Sequence, residues 1–144
     1  MTLLDTSRLL GKKILVVEDI DDTLAGTLAE LRFMGAEVDH ASNVRGALIK
    51  MQAQKYNALL LDWRIPLKEQ TAVNDEGAAV LLRQIETDTG NPNSETPIII
   101  VTAQLPSIDR KTLAKYPHCR LVLSKLQADE IIEALDGIFG EGDV

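Results

Sequence analysis

Three stretches of this chain are apolar without interruption: Lys13-Ile-Leu-Val-Val17, Ala58-Leu-Leu-Leu61 and Pro97-Ile-Ile-Ile-Val101. None alternates apolar with polar, so none can be a strand with one wet face. Continuous short runs of β-branched and leucine residues are the pattern of strands covered on both faces. They predict a parallel sheet between two helical layers. Aromatics make up only 3% of the 144 residues. The core must therefore be aliphatic, and the length suits one domain.

Helical spacing fills the gaps between these runs. Leu24, Leu28 and Leu31 form one stripe, and Val44, Leu48 and Met51 repeat it after Ser42, a candidate N-cap. Ala78, Leu81, Leu82 and Ile85 form a third. A fourth helix is expected around Ile108 to Tyr116. A fifth covers Ala128 to Ile138, with Ile131, Ile132 and Leu135 facing inward. Gly35 is placed to end the first helix in a left-handed turn. Ala36 to His40 and Arg120 to Leu123 read as two weaker strands. The order is strand then helix, five times, which predicts an α/β fold with right-handed crossovers. Lys68 to Glu76 and Thr87 to Thr96 are polar and loop-like. Residues 1–11 read as an extension outside the fold, 12–139 as the domain and 140–144 as a tail.

Charge excludes some partners. The net charge of −7 argues against binding nucleic acid or an anionic membrane directly, since both need clustered Lys and Arg. It allows a cation or a basic protein surface. One cysteine, Cys119, permits no intrachain disulfide and suggests a reducing compartment. No apolar run is long enough to span a bilayer. Met1 to Leu10 lacks the pattern of a signal peptide, so a cytoplasmic location is expected. His40, His118 and Cys119 lack zinc-site spacing and read as structural. Gly26, Gly35 and Gly46 do not make a phosphate loop.

In open parallel sheets, sites form beyond the carboxyl ends of the strands. Glu18 and Asp19 follow the first strand, Asp62 the third, Thr102 the fourth, and Ser124 and Lys125 the fifth. Three carboxylates brought together repel, and a divalent cation relieves that repulsion. Mg²⁺ takes oxygen ligands, keeps several waters and bridges carboxylates to phosphate. A carboxylate can attack phosphorus to form an acyl phosphate. Cationic and hydroxyl donors, here Lys125 and Thr102, suit the charge on the phosphoryl oxygens.

Val17-Glu18-Asp19, Leu61-Asp62-Trp63-Arg64-Ile65-Pro66, Val101-Thr102-Ala103 and Leu123-Ser124-Lys125 together resemble the receiver domains of two-component response regulators. The resemblance covers about Lys12 to Phe139. It implies a doubly wound five-stranded parallel sheet of flavodoxin-like type, strand order 2-1-3-4-5, with helices on both faces. It implies that Asp62 is the phosphoacceptor. Asp19, Glu18, Asp62 and the backbone carbonyl of Arg64 would bind Mg²⁺. Thr102 and Lys125 would contact the phosphoryl group. The chain would be a signalling switch, not a dedicated enzyme. Its partner would be a sensor histidine kinase or phosphotransfer protein. A homodimer would use the face of fourth helix, fifth strand and fifth helix.

Four features depart from that pattern. The stretch from Asp62 to Gly77 and the loop Thr87 to Thr96 are long, and either could serve a specialised partner. Leu126 replaces a proline after the lysine, and Val122 replaces an aromatic switch residue, which separates the site chemistry from the usual output. Two rival readings stand beside the receiver. Asp19-Ile-Asp21-Asp22-Thr23 resembles the first motif of haloacid-dehalogenase-type phosphatases, with Asp19 as nucleophile and Asp21 as general acid. That reading leaves Asp62 without a role and lacks a later acidic motif. The other rival is a receiver-fold binding module that works without phosphorylation. Asp21 and Asp22 are read here as acids at a helix N-terminus.

Overall fold

The computed structural model describes residues 6–19, 24–68, 73–74, 77–103, 111 and 114–140. Its strands are β1 (Lys13–Val17), β2 (Glu37–Ala41), β3 (Ala58–Asp62), β4 (Ile65–Pro66), β5 (Val73–Asn74), β6 (Ile98–Thr102) and β7 (Cys119–Ser124). Its helices are α1 (Ala25–Phe33), α2 (Val44–Ala53), α3 (Gly77–Thr87) and α4 (Ala128–Gly140), with a short 3₁₀ turn at Thr6–Leu9. The main sheet is wholly parallel, in the order β2-β1-β3-β6-β7. With the two-residue strands β4 and β5 set aside, this is the expected 2-1-3-4-5. The doubly wound α/β reading is therefore correct.

Strand parity assigns the core. Leu15, Val17, Leu59, Leu61, Ile98 and Ile100 point to one side, where they meet Val44, Ala47 and Met51 of α2 and Ala78, Leu81, Leu82 and Ile85 of α3. Ile14, Val16, Ala58, Leu60, Ile99 and Val101 point to the other, against Leu28 and Leu31 of α1 and Ile131, Ile132 and Leu135 of α4. In-register pairs such as Leu15 with Leu59 and Leu59 with Ile98 keep each parity class in one layer. That is why the apolar runs are continuous. β2 and β7 lie at the edges, are partly exposed, and gave the weaker sequence signals.

Several local expectations change. Asn43, not Ser42, caps α2: its Oδ1 accepts from the Gly46 N–H at 2.7 Å. Gly35 does sit at φ +94 after α1, as expected. The 1–11 segment does not lie wholly outside the fold, because Leu9 is fully buried in the α1/α4 layer. Arg8 also reaches Asp136 of α4 at 3.6 Å. The polar stretch after Lys68 includes β5, which pairs antiparallel with β4. The expected helix near Ile108 to Tyr116 falls largely outside the described residues, as do Asp21 and Asp22.

The Thr87–Thr96 loop is an internal clip in its second half. Asn91, Asn93 and Thr96 are all buried. Asn93 Nδ2 donates to the carbonyls of Met51 and Gln54, both at 2.8 Å. Its Oδ1 accepts from the Tyr56 N–H at 2.7 Å and from Thr96 Oγ1 at 2.9 Å. One amide thus uses both ends to fasten the end of α2 to the entry of β3. Asn93→Ala would leave two carbonyls and an N–H buried and unsatisfied, and should cost about 2–4 kcal/mol in urea unfolding.

Beside it, the Tyr56 hydroxyl donates to Asp39 Oδ2 at 2.7 Å and accepts from Gln54 Nε2 at 2.8 Å. Burial, reinforced by the hydrogen bond to Asp39, raises the Tyr56 pKa to about 12. The folded state holds this proton more tightly than the unfolded chain does. The associated stability is complete below the ordinary value of 10.0 and is lost as pH rises toward about 12. A tyrosinate absorbance titration, differenced against Tyr56→Phe, should place this group's transition near the upper value.

Candidate functional site

The site is made by strand ends. β1, β3, β6 and β7 are adjacent and parallel, so the residues that leave them emerge at one edge of the sheet. β1 lies between β2 and β3, so the chain's crossovers diverge there. Such a divergence leaves a crevice between loops where ligands bind. Glu18 extends the β1–β2 ladder by donating its N–H to the Ala41 carbonyl at 3.0 Å. Asp62 is the last residue of β3 and pairs with Val101. Thr102 ends β6 opposite Ser124. The Lys125 N–H donates to the Thr102 carbonyl at 3.0 Å, which carries the ladder one step past β7.

These side chains are withdrawn from water. Glu18, Asp62, Thr102 and Lys125 are between 3% and 5% exposed. The Lys125 ammonium lies 2.6 Å from Asp62 Oδ2 and 3.9 Å from Glu18 Oε2. Asp62 Oδ1 accepts from the Arg64 N–H at 3.2 Å, which turns the chain sharply as it leaves β3. Both Asp62 oxygens are therefore engaged. Asp19 is half-buried beside Glu18 in sequence, and Arg64 is exposed. Trp63 packs against the α2/α3 layer and donates its N–H to the Val101 carbonyl at 3.3 Å.

The loop beyond Asp62 is held from two sides. The Leu67 carbonyl accepts from the Arg45 N–H at 3.0 Å, and the Trp63 carbonyl from the Ala78 N–H at 3.4 Å. A Cβ at Gly77 would collide with the Ile65 carbonyl oxygen, so only glycine lets α3 begin this close to β4.

Of the residues singled out from sequence, Glu18, Asp62 and Lys125 meet directly, and Thr102 is fixed beside Lys125 by backbone pairing. Glu18, expected from sequence to bind a metal, has the Lys125 ammonium 3.9 Å from its Oε2. Val122 is half-buried against the α2/α3 layer. Leu126 is 77% exposed, with its N–H donating to Ser124 Oγ at 3.2 Å. Burial, helped by Glu86, pushes the Cys119 thiol up to about 12, which disfavours the thiolate.

The donors available for a cation are all oxygen, and carboxylates outnumber the amine. That chemistry suits Mg²⁺. Among the described residues no three His, Cys, Asp or Glu side chains make a ready-formed cation cluster. Mg²⁺ does not require one, because it binds through one or two carboxylates and keeps water for the rest of its shell. Asp19 and Asp62 meet that smaller demand in ligand type.

Comparison with known proteins places the fold. No family model matches the chain, and no curated protein matches it by sequence. Solved structures match over most of its length. A CheY-like response regulator receiver domain from Methanospirillum hungatei JF-1 is 21% identical, with a TM-score of 0.73 over 92% of this chain and 97% of that one. The receiver domain of a Pseudomonas aeruginosa PAO1 sensor histidine kinase, with a magnesium ion coordinated in its active-site cleft, is 24% identical. It has a TM-score of 0.67 over 88% of this chain and 98% of its own. The Thermotoga maritima response regulator TrrA in complex with Mg²⁺ and BeF is 23% identical, with a TM-score of 0.69 over 88% and 98%.

The buried ion pair generates a stability prediction. Removing one member of a buried pair strands the other charge and costs about 3–5 kcal/mol. Lys125→Met should lose that much at neutral pH in urea unfolding. Adding Asp62→Asn to the same chain should restore part of it, because one stranded carboxylate becomes a neutral amide.

Proposed function

We propose that this chain is a phosphoacceptor receiver of a two-component or phosphorelay system, phosphorylated on Asp62 in a Mg²⁺-dependent step. The observation that carries this reading is the Lys125 ammonium held 2.6 Å from Asp62, with Glu18 buried beside them, at the strand edge of a receiver fold.

The donor would be a phosphohistidine on a sensor kinase or phosphotransfer protein. An Asp62 carboxylate oxygen attacks phosphorus, the phosphorus–nitrogen bond breaks, and the imidazole leaves with the electron pair and takes a proton. Lys125 orients Asp62 before transfer and afterwards faces the new phosphoryl oxygens. Thr102 stands one strand away to donate its hydroxyl. Asp19 and Asp62, with Glu18 and the Arg64 carbonyl, would hold Mg²⁺, which supplies positive charge against the transferring group. The chain accepts the group as a switch and is not a dedicated catalyst.

The phosphatase reading would make Asp19 the nucleophile. It is less favoured, because the buried amine engages Asp62 and Glu18. The inert-module reading draws on Val122 and Leu126, which replace the residues that usually transmit the switch.

Treatment with acetyl phosphate and Mg²⁺, followed by peptide mapping in a mass spectrometer, should add one phosphoryl group at Asp62. Asp62→Asn should abolish the adduct, and Asp19→Asn should lower its yield at least tenfold. Labelling that survives Asp62→Asn and vanishes in Asp19→Asn would transfer the assignment to the phosphatase reading. No labelling, together with no change in Trp63 fluorescence on Mg²⁺ titration, would leave the inert module.

A further inference from the structure

Away from the acid site, an open cleft of about 760 Å³ runs between the end of β2, the exposed side of α2 and the loop after β4. Its walls carry Arg45, Lys50 and Lys68, with His40 at one end and Ile49 on the α2 side. A concentration of cations is unexpected on a chain of net charge −7. Among the described residues no carboxylate pairs with Arg45 or Lys50. Ile49 is 62% exposed in the midst of them.

Gly46 lies among the lining residues on the same side of α2. Glycine inside a helix costs about 1 kcal/mol relative to alanine. Here a Cβ would come within 3.3 Å of Asn43 Oδ1, the acceptor that caps α2, so glycine keeps that cap close against the helix.

The chemistry of the occupant follows from which donors are free to act. Three of the backbone donors at the start of α2 are spent: the Gly46 N–H goes to Asn43 Oδ1, Arg45 N–H to the Leu67 carbonyl, and Ala47 N–H to the Asn43 carbonyl. A cradle of several converging N–H groups for a phosphate is therefore not offered there. Recognition must come from flexible cationic side chains and one exposed aliphatic residue, in a cleft open to solvent. That combination suits a protein segment that brings carboxylates with an aliphatic anchor between them. We infer that this cleft docks an acidic, aliphatic-containing segment of a partner protein. Asp62 is not among the lining residues, and the inference does not depend on phosphorylation.

The test uses the full chain and a fluorescein-labelled peptide of alternating glutamate and leucine, read by fluorescence anisotropy. Saturable binding is expected, weakened as salt is raised through the physiological range. Arg45→Glu combined with Lys50→Glu should weaken it roughly tenfold or more, a loss of about 1.4 kcal/mol. Amide shifts on titration should cluster at residues 40–50 and Lys68. Circular dichroism and the urea midpoint report whether each variant is folded. The inference is overturned by no saturable binding, by binding that survives the double charge reversal in a folded variant, or by shifts elsewhere. Displacement of the peptide by inorganic triphosphate at lower concentration would also overturn it, by making the cleft a small-anion site.

Discussion

β3 is buried along its whole length, and it ends in an aspartate. Its apolar residues demand a helical layer on each face. Parallel neighbours then follow, because the described returns from β1, β2 and β3 pass through α1, α2 and α3. Once β1 and β6 flank it in parallel, their ends lie beside Asp62, and β7 adds its own end one place further out. The acid site is a consequence of this arrangement.

The cost of that placement is a charge in a poorly hydrated position. A buried carboxylate without compensation would be disfavoured by several kcal/mol. Lys125 compensates Asp62 most closely and Glu18 at longer range. Among the described residues, one ammonium faces two carboxylates, and that set carries more negative than positive charge. A cation, or a phosphoryl group whose oxygens recruit the lysine, changes the balance. A site that is fully neutralised within itself would have less reason to respond to either.

The fold was legible from sequence because its signal is local and repeated. Each apolar run and each helical stripe identifies a layer without knowledge of the others. The site was legible because strand ends converge by topology, so Glu18, Asp62, Thr102 and Lys125 could be grouped before their distances were known. The role of Asn93 was hidden. Its partners Met51 and Gln54 lie 42 and 39 residues away, and Gly90-Asn-Pro-Asn-Ser94 has the composition of a solvated turn. Leu9 was missed because the leucines of residues 1–11 come as adjacent pairs, which carry no periodicity to say which one is buried. Ser42 and Asn43 are equally good caps by residue type, and only the bond to Gly46 separates them.

Val122 and Leu126 bear on where a change at Asp62 would be felt. β7 contributes a half-buried valine and then an exposed leucine, neither of which carries a ring that could swing between two packed positions. The loop after Asp62 is tied more firmly on the other side. Leu67 is bonded to the start of α2, Trp63 to the start of α3, and Ile65 is pressed against Gly77. In the receiver reading, a phosphoryl group on Asp62 competes for Lys125 and for the Arg64 N–H that now turns the chain. Loss of that turn would act first on Ile65 to Lys68, and through Leu67 on Arg45. The physical route out of this site therefore runs toward α2 and α3 at least as directly as toward β7.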